Sequence, residues 1–95
     1  MYKLSNLAAE DFEQIFEYTL LNFGVEQADK YTDNLHNVFL TLITQPLMGK
    51  DCPEIAEGLR RHDHQKHAIF YRLQVFGIYI VRILHHQVDP MRYFD

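Results

Sequence analysis

The sequence predicts a single α+β domain over residues 1–95, ordered β-α-α-β-β-β, in which a helical hairpin packs on a small, mostly antiparallel sheet. Three observations predict it. From Ala8 to Leu42 the apolar residues recur at steps of three and four, the period of an amphipathic helix. Gly24 interrupts that pattern and Pro46 ends it. Beyond Gly58 the chain turns to short runs of β-branched and aromatic residues, the composition of strands.

Each element has its own reason. Tyr2-Lys3-Leu4 reads as a short strand, and helical period sets in at about Asn6. Ala8, Phe12, Ile15, Phe16, Thr19 and Phe23 then form one apolar stripe. Gly24 stands where a left-handed C-terminal cap belongs. The second helix carries Ala28, Tyr31, Leu35, Val38, Phe39 and Leu42 on one face. Pro46 stops it, because proline disfavours a helical Gln45 and offers no backbone donor. Two such helices joined by so short a turn lie antiparallel.

Pro46, Gly49, Pro53 and Gly58 mark a loop. Leu59–His62, His67–Leu73 and Ile78–His85 follow as strands, the last two joined as a hairpin through Gln74-Val75-Phe76-Gly77. Ile78–Leu84 is apolar on both faces, which suits a central strand covered on both sides, with Arg82 the exception. Asp89-Pro90 reads as an N-cap followed by proline, opening one terminal turn.

Composition bounds the function. At 95 residues and 47% hydrophobic, the chain supports one ordinary core without a disulfide staple. Cys52 has no partner, so a reducing, cytoplasmic setting is expected. The N-terminus lacks a basic start and an uninterrupted apolar stretch, and no run approaches the roughly 20 apolar residues of a membrane span. Net charge is −4, unevenly spread: residues 1–57 carry three Lys and ten Asp/Glu, whereas residues 58–95 carry six Arg/Lys and three Asp. An acidic half followed by a basic one predicts two faces with different partners, or halves that neutralise each other.

Five of the six histidines fall in the basic half. His62 and His64 share a face by strand alternation, but no Cys, Glu or helical His-x-x-x-His completes a zinc set, so no metal is expected. His85 or His86, with Arg60, Arg61, Arg72, Arg82 and Tyr93, would suffice for acid-base cleavage of RNA, although their spacing specifies no geometry. Arg72 and Arg82 sit in apolar strands and either pair with carboxylates of the acidic hairpin or meet a partner. Arg60-Arg61 is the more exposed pair. Tyr93 and Phe94, close to Asp95, either fold back or anchor a partner. Glycine loops for phosphate, Gly-x-Ser-x-Gly and Cys-x-x-Cys are absent from the sequence, so no cofactor and no catalytic residue are assigned.

The order of short motifs resembles the ParE toxins of the RelE/ParE toxin-antitoxin superfamily. It begins with Tyr2-x-Leu4-Ser5, Ala8, Asp11-Phe12, Ile15 and Tyr18. Phe23-Gly24-x-x-Gln27-Ala28-x-x-Tyr31, Leu35 and Leu42-x-x-x-Pro46-x-x-Gly49 continue it. Glu57-Gly58-Leu59-Arg60, His67-x-Ile69-Phe70-Tyr71-Arg72 and Val81-Arg82-Ile83-Leu84-His85 with Asp89 complete it. His86-Gln87 departs from the more basic pair expected after that last string.

The resemblance implies a type II toxin neutralised by a cognate antitoxin, whose flexible C-terminal segment wraps it by helix-in-groove and added-strand contacts. It implies DNA gyrase as the target, with an enzymatic alternative, ribosome-dependent messenger-RNA cleavage, in the RelE branch. A ribosome-bound nuclease is usually strongly basic, whereas this chain is acidic overall, which favours a gyrase-binding inhibitor with no stable nucleic-acid contact of its own. Target contacts are then expected at Arg60, Arg61, Arg72, Arg82, His85 and the tail Tyr93, Phe94 and Asp95.

Overall fold

The computed structural model describes residues 1–94; Asp95, the last residue of the expected tail contact, lies outside them. The first strand, β1 (Tyr2–Leu4), leads into α1 (Asn6–Phe23) and α2 (Val25–Thr44). Strands β2 (Lys50–Asp51), β3 (Arg60–His64), β4 (His67–Gln74) and β5 (Gly77–His85) follow, and a 3-10 turn, Pro90–Arg92, comes last. The five strands form one sheet in the order β1-β5-β4-β3-β2. β1 runs parallel to β5 and the other pairs are antiparallel. The α+β class and the strand sequence are as expected. β2 is an addition: Lys50 and Asp51 sit in the expected loop but pair with Arg61 and Arg60. β3 also runs two residues further than its apolar start foretold.

Helix boundaries follow local chemistry. Ser5 caps α1, its hydroxyl accepting from the Ala8 N–H at 3.0 Å while donating to the Val81 carbonyl at 2.7 Å. Gly24 ends α1 and begins α2, with φ 92° and ψ 171°. This is not the left-handed helical cap expected from sequence but a region that only glycine enters cheaply. The hinge leaves Phe23 62% exposed, which removes it from the expected core stripe.

Two apolar layers sandwich the sheet. On one side Ile15, Tyr31, Leu35, Phe39 and Leu42 of the hairpin meet Ile69, Tyr71, Ile78, Ile80 and Ile83. On the other, Leu59, Ala68, Phe70 and Leu84 pack under Ile55, Ala56, Val88 and Phe94. Burying each large aliphatic or aromatic side chain contributes about 1.5–3 kcal/mol. β5 is therefore central and covered on both faces, as its composition foretold. Gly77, at φ 136°, turns the β4–β5 hairpin where an added Cβ would strike the backbone of Met1. Glycine at that corner thus lets β1 close against β5.

Candidate functional site

β1 pairs with β5 only as far as Ile80, so the second half of β5 has no strand beside it on that side. Side chains take over. The Ser5 hydroxyl satisfies the Val81 carbonyl, and the Asp11 carboxylate accepts from the Ile83 N–H at 2.9 Å. A register shift opposite Phe70 and Tyr71 leaves Val81 without a cross-strand partner, and Arg82 reaches α1. The result is a groove of about 800 Å³ between α1 and the exposed flank of β5. Tyr18, Thr19 and Phe23 of α1 line it with Tyr31 of α2, His67, His85 and Tyr93.

Its floor is an ion pair. The Arg82 guanidinium donates to both Asp11 oxygens, at 2.8 and 2.9 Å, and both side chains are largely buried. With the Ile83 N–H the carboxylate accepts three bonds, the condition under which a buried pair holds its charge. The hydrogen bond to Asp11 raises the Arg82 pKa above its ordinary value, against the lowering effect of burial. The Tyr93 ring stacks on the same guanidinium at 5.3 Å. Of the two readings open for Arg82, pairing with the acidic hairpin is the one observed.

One end of the groove is a ladder of rings. Tyr31 Oη and His67 Nδ1 are 2.6 Å apart. The His67 ring meets His85 edge-on at 5.8 Å, His85 stacks on His86 at 4.7 Å, and His64 lies 6.0 Å from Tyr31. His85 and His86 are exposed at the end of β5, whereas His67 and His64 are partly buried. Burial, then the neighbouring His85, His86 and His64, push the His67 pKa from 6.5 down to about 4. His67 is therefore neutral in the folded protein at pH 7, and protonates more readily in the unfolded chain. Its contribution to stability is full above pH 6.5 and is lost as pH falls toward 4. Because the ring is partly solvated, about 1–2 kcal/mol is expected from it across that window. Urea titrations at pH 7 and pH 4.5 should show this loss in the parent and a smaller one in His67→Gln. An equal pH slope in both would remove His67 as its source.

The other arginines are tied elsewhere. Arg60 donates to the carbonyls of Leu47 and Gly49, at 3.2 and 2.6 Å, and so serves the loop after α2 rather than standing free. Arg61 pairs with Asp63 at 2.7 Å and lies over the Phe70 ring at 5.4 Å. Arg72 donates to the Glu57 carbonyl; no carboxylate of the hairpin receives it among the described residues. Of the tail, Phe94 packs on Phe70 at 5.1 Å, whereas Tyr93 stays 43% exposed. The tail therefore folds back, one of the two outcomes left open. Cys52 is buried with its pKa pushed up, chiefly by that burial, the state of an inert thiol.

Among the described residues no three His, Cys, Asp or Glu side chains are placed to hold a metal. No helix there is long and apolar enough to cross a membrane. The structure thus brings together Arg82, His85 and Tyr93 along the groove. It leaves Arg60 beside Tyr71 at the loop after α2, sets Arg61 against Phe70 on the opposite face of the sheet and ties Arg72 to the loop before β3. Asp11, Tyr31, Lys66 and His67 line the groove without having been singled out as site residues. Asp11 and Tyr31 carried a signal, an acid and a hydroxyl on apolar helix faces, and His67 stood in one histidine cluster with His62 and His64; Lys66 carried none.

These features define a class: single-domain α+β proteins whose helical hairpin leaves half of a central strand uncovered beside a groove. Residues 2–90 match the family described as ParE toxin of type II toxin-antitoxin system, parDE. Toxin ParE1 of Mycobacterium tuberculosis (strain ATCC 25618 / H37Rv) is 35% identical over 92 residues, covering 96% of this chain and 94% of that protein. Toxin ParE1 of Caulobacter vibrioides is 33% identical over 88 residues, 93% of this chain and 91% of the relative. The fold is shared with a solved structure described as the chromosomal ParDE TA system from P. aeruginosa, at a TM-score of 0.75 and 22% identity, over 88% of this chain and 92% of that one. The chain belongs to the ParE toxin family of type II toxin-antitoxin systems.

Proposed function

We propose that this chain is a toxin that inhibits DNA gyrase by binding it, and that a cognate antitoxin encoded beside it neutralises it by occupying the groove. The observation that carries the reading is the family match over residues 2–90, which takes in every groove residue except Tyr93. The uncovered flank of β5 supports the antitoxin half, because an extended segment can add to such an edge while its side chains enter the groove. The split of charge supports two partners. The helical layer bears Glu10, Glu13, Glu17, Glu26, Asp29 and Asp33, all exposed, while the sheet carries the arginines.

Of the expected target contacts, Tyr93 and His85 are exposed and Arg61 is half-buried, with Asp95 in the same tail as Tyr93. Arg60, Arg72 and Arg82 act on the target through the fold they hold, and Phe94 through its seat on Phe70. His85 belongs to the groove and hence to the antitoxin.

The test is a supercoiling and cleavage assay with purified gyrase, plasmid and this protein. Blocked supercoiling or trapped linear DNA, reversed by antitoxin, is expected. Unaffected gyrase together with transcripts cut within codons in intoxicated cells would overturn this reading and favour messenger-RNA cleavage.

A further inference from the structure

We propose that the histidine end of the groove is a carboxylate-binding subsite, formed by Lys66, His67 and His85, that takes an acidic side chain of the antitoxin segment. The inference rests on the antitoxin reading and specifies the partner's chemistry. It begins from a charge inventory. The one carboxylate lining the groove, Asp11, is spent on Arg82 and the Ile83 N–H. What remains at the far end is Lys66, His67 and His85, with His86 stacked on His85.

The hydrogen bonds decide what these groups offer. The Gln87 backbone N–H donates to His85 Nδ1 at 3.2 Å, so the neutral ring carries its proton on Nε2. The Tyr31 hydroxyl lies 2.6 Å from His67 Nδ1, and with Nδ1 as the acceptor of that hydroxyl the ring carries its proton on Nε2 as well. Two imidazole N–H donors and an exposed ammonium thus share one end of the groove. Among the described residues none of the three is engaged by an acceptor. Such a set of donors lacks an anion.

Several groups act on it from the surrounding elements: Asp11 of α1, Tyr31 of α2, His64 of β3, and His85 and His86 at the end of β5. Only Asp11 is acidic, and it is committed. A partner carboxylate therefore meets donors without displacing a native pairing, and a bond to a charged group contributes more than a neutral one. A nucleic-acid phosphate has similar acceptor chemistry. The surroundings favour a peptide: the groove walls are Ile15, Tyr18 and Phe23, suited to apolar side chains. Exposed Glu10, Glu13 and Glu17 on α1 repel a run of phosphates far more than a single carboxylate.

The experiment is calorimetric titration of the full chain with the antitoxin expressed from the reading frame beside its own. Lys66→Glu is expected to weaken binding at least tenfold and His85→Ala about fivefold. Lys50→Glu, the same charge reversal at the opposite edge of the sheet, is expected to change it less than twofold. Both groove positions are exposed, so melting temperatures should match the parent. Replacing the contacting antitoxin acid by Lys should recover binding to the Lys66→Glu chain.

Unchanged affinity in both groove variants overturns the subsite, and so does an equal loss in Lys50→Glu. Weakened binding to a single-stranded RNA oligonucleotide with intact antitoxin affinity also overturns it, in favour of a phosphate site. A parent chain that binds no antitoxin fails the antitoxin reading itself, and the subsite with it.

Discussion

Asp11→Ala is expected to lower the free energy of unfolding by about 3–5 kcal/mol, the cost of breaking a buried ion pair from one side. The loss is large because three bonds go at once. Arg82 keeps its charge and lies largely buried, and the Ile83 N–H loses its acceptor on a flank where no strand can replace it. Urea unfolding monitored by circular dichroism measures it. A second variant tests the mechanism: Asp11→Ala combined with Arg82→Met removes the stranded charge and should recover part of the deficit. If the double variant is as unstable as the sum of the two single ones, the ion pair is not what Asp11 supplies.

Tyr71→Phe is expected to cost about 2–4 kcal/mol, although it deletes a single oxygen. That oxygen is fully buried, donates to the Pro46 carbonyl at 2.7 Å and accepts from the Gly49 N–H at 2.9 Å. Removing it leaves the buried Gly49 N–H and the partly buried Pro46 carbonyl unpaired. The same loop is held by Arg60, through the Leu47 and Gly49 carbonyls, so the two side chains together fasten the end of α2 to the sheet. Hydrogen exchange should show faster opening at residues 46–50 in Tyr71→Phe, with the groove amides of β5 little changed. Uniform loss of protection would mean that the tyrosine acts on global stability alone.

The groove has consequences for how the molecule is used. Its walls come from the helical hairpin and its floor from β5, so a segment bound there touches both layers. Arg61 lies against Phe70 on the other face of the sheet, and Tyr93 stands at the margin of the groove over Arg82. A partner in the groove and a target on the sheet face would thus contact largely different residues. The shared element is Arg82, which touches Asp11 on one side and Tyr93 on the other.

Much of the fold was legible in the chain. Periodicity through Leu42 and the stops at Gly24 and Pro46 fix two antiparallel helices, because proline and the helical period act locally. The apolar run Ile78–Leu84 marked a doubly covered strand for the same reason: burial on both faces is written in consecutive residues. The order of short motifs was enough to indicate the family. The site was legible only in outline. Arg82, His85 and Tyr93 were marked, but the sequence could not tell a committed arginine from a free one.

What tertiary structure alone decided is which groups meet. Asp11 lies 71 residues from Arg82 in the chain, and Tyr31 lies 36 from His67. Such pairings depend on the sheet order and on where β1 stops, and no local period records either. The lowered pKa of His67 has the same origin, since burial and neighbouring imidazoles are properties of packing. Local preferences determined the elements of this protein; the shortness of β1, which leaves half of β5 uncovered, determined its groove.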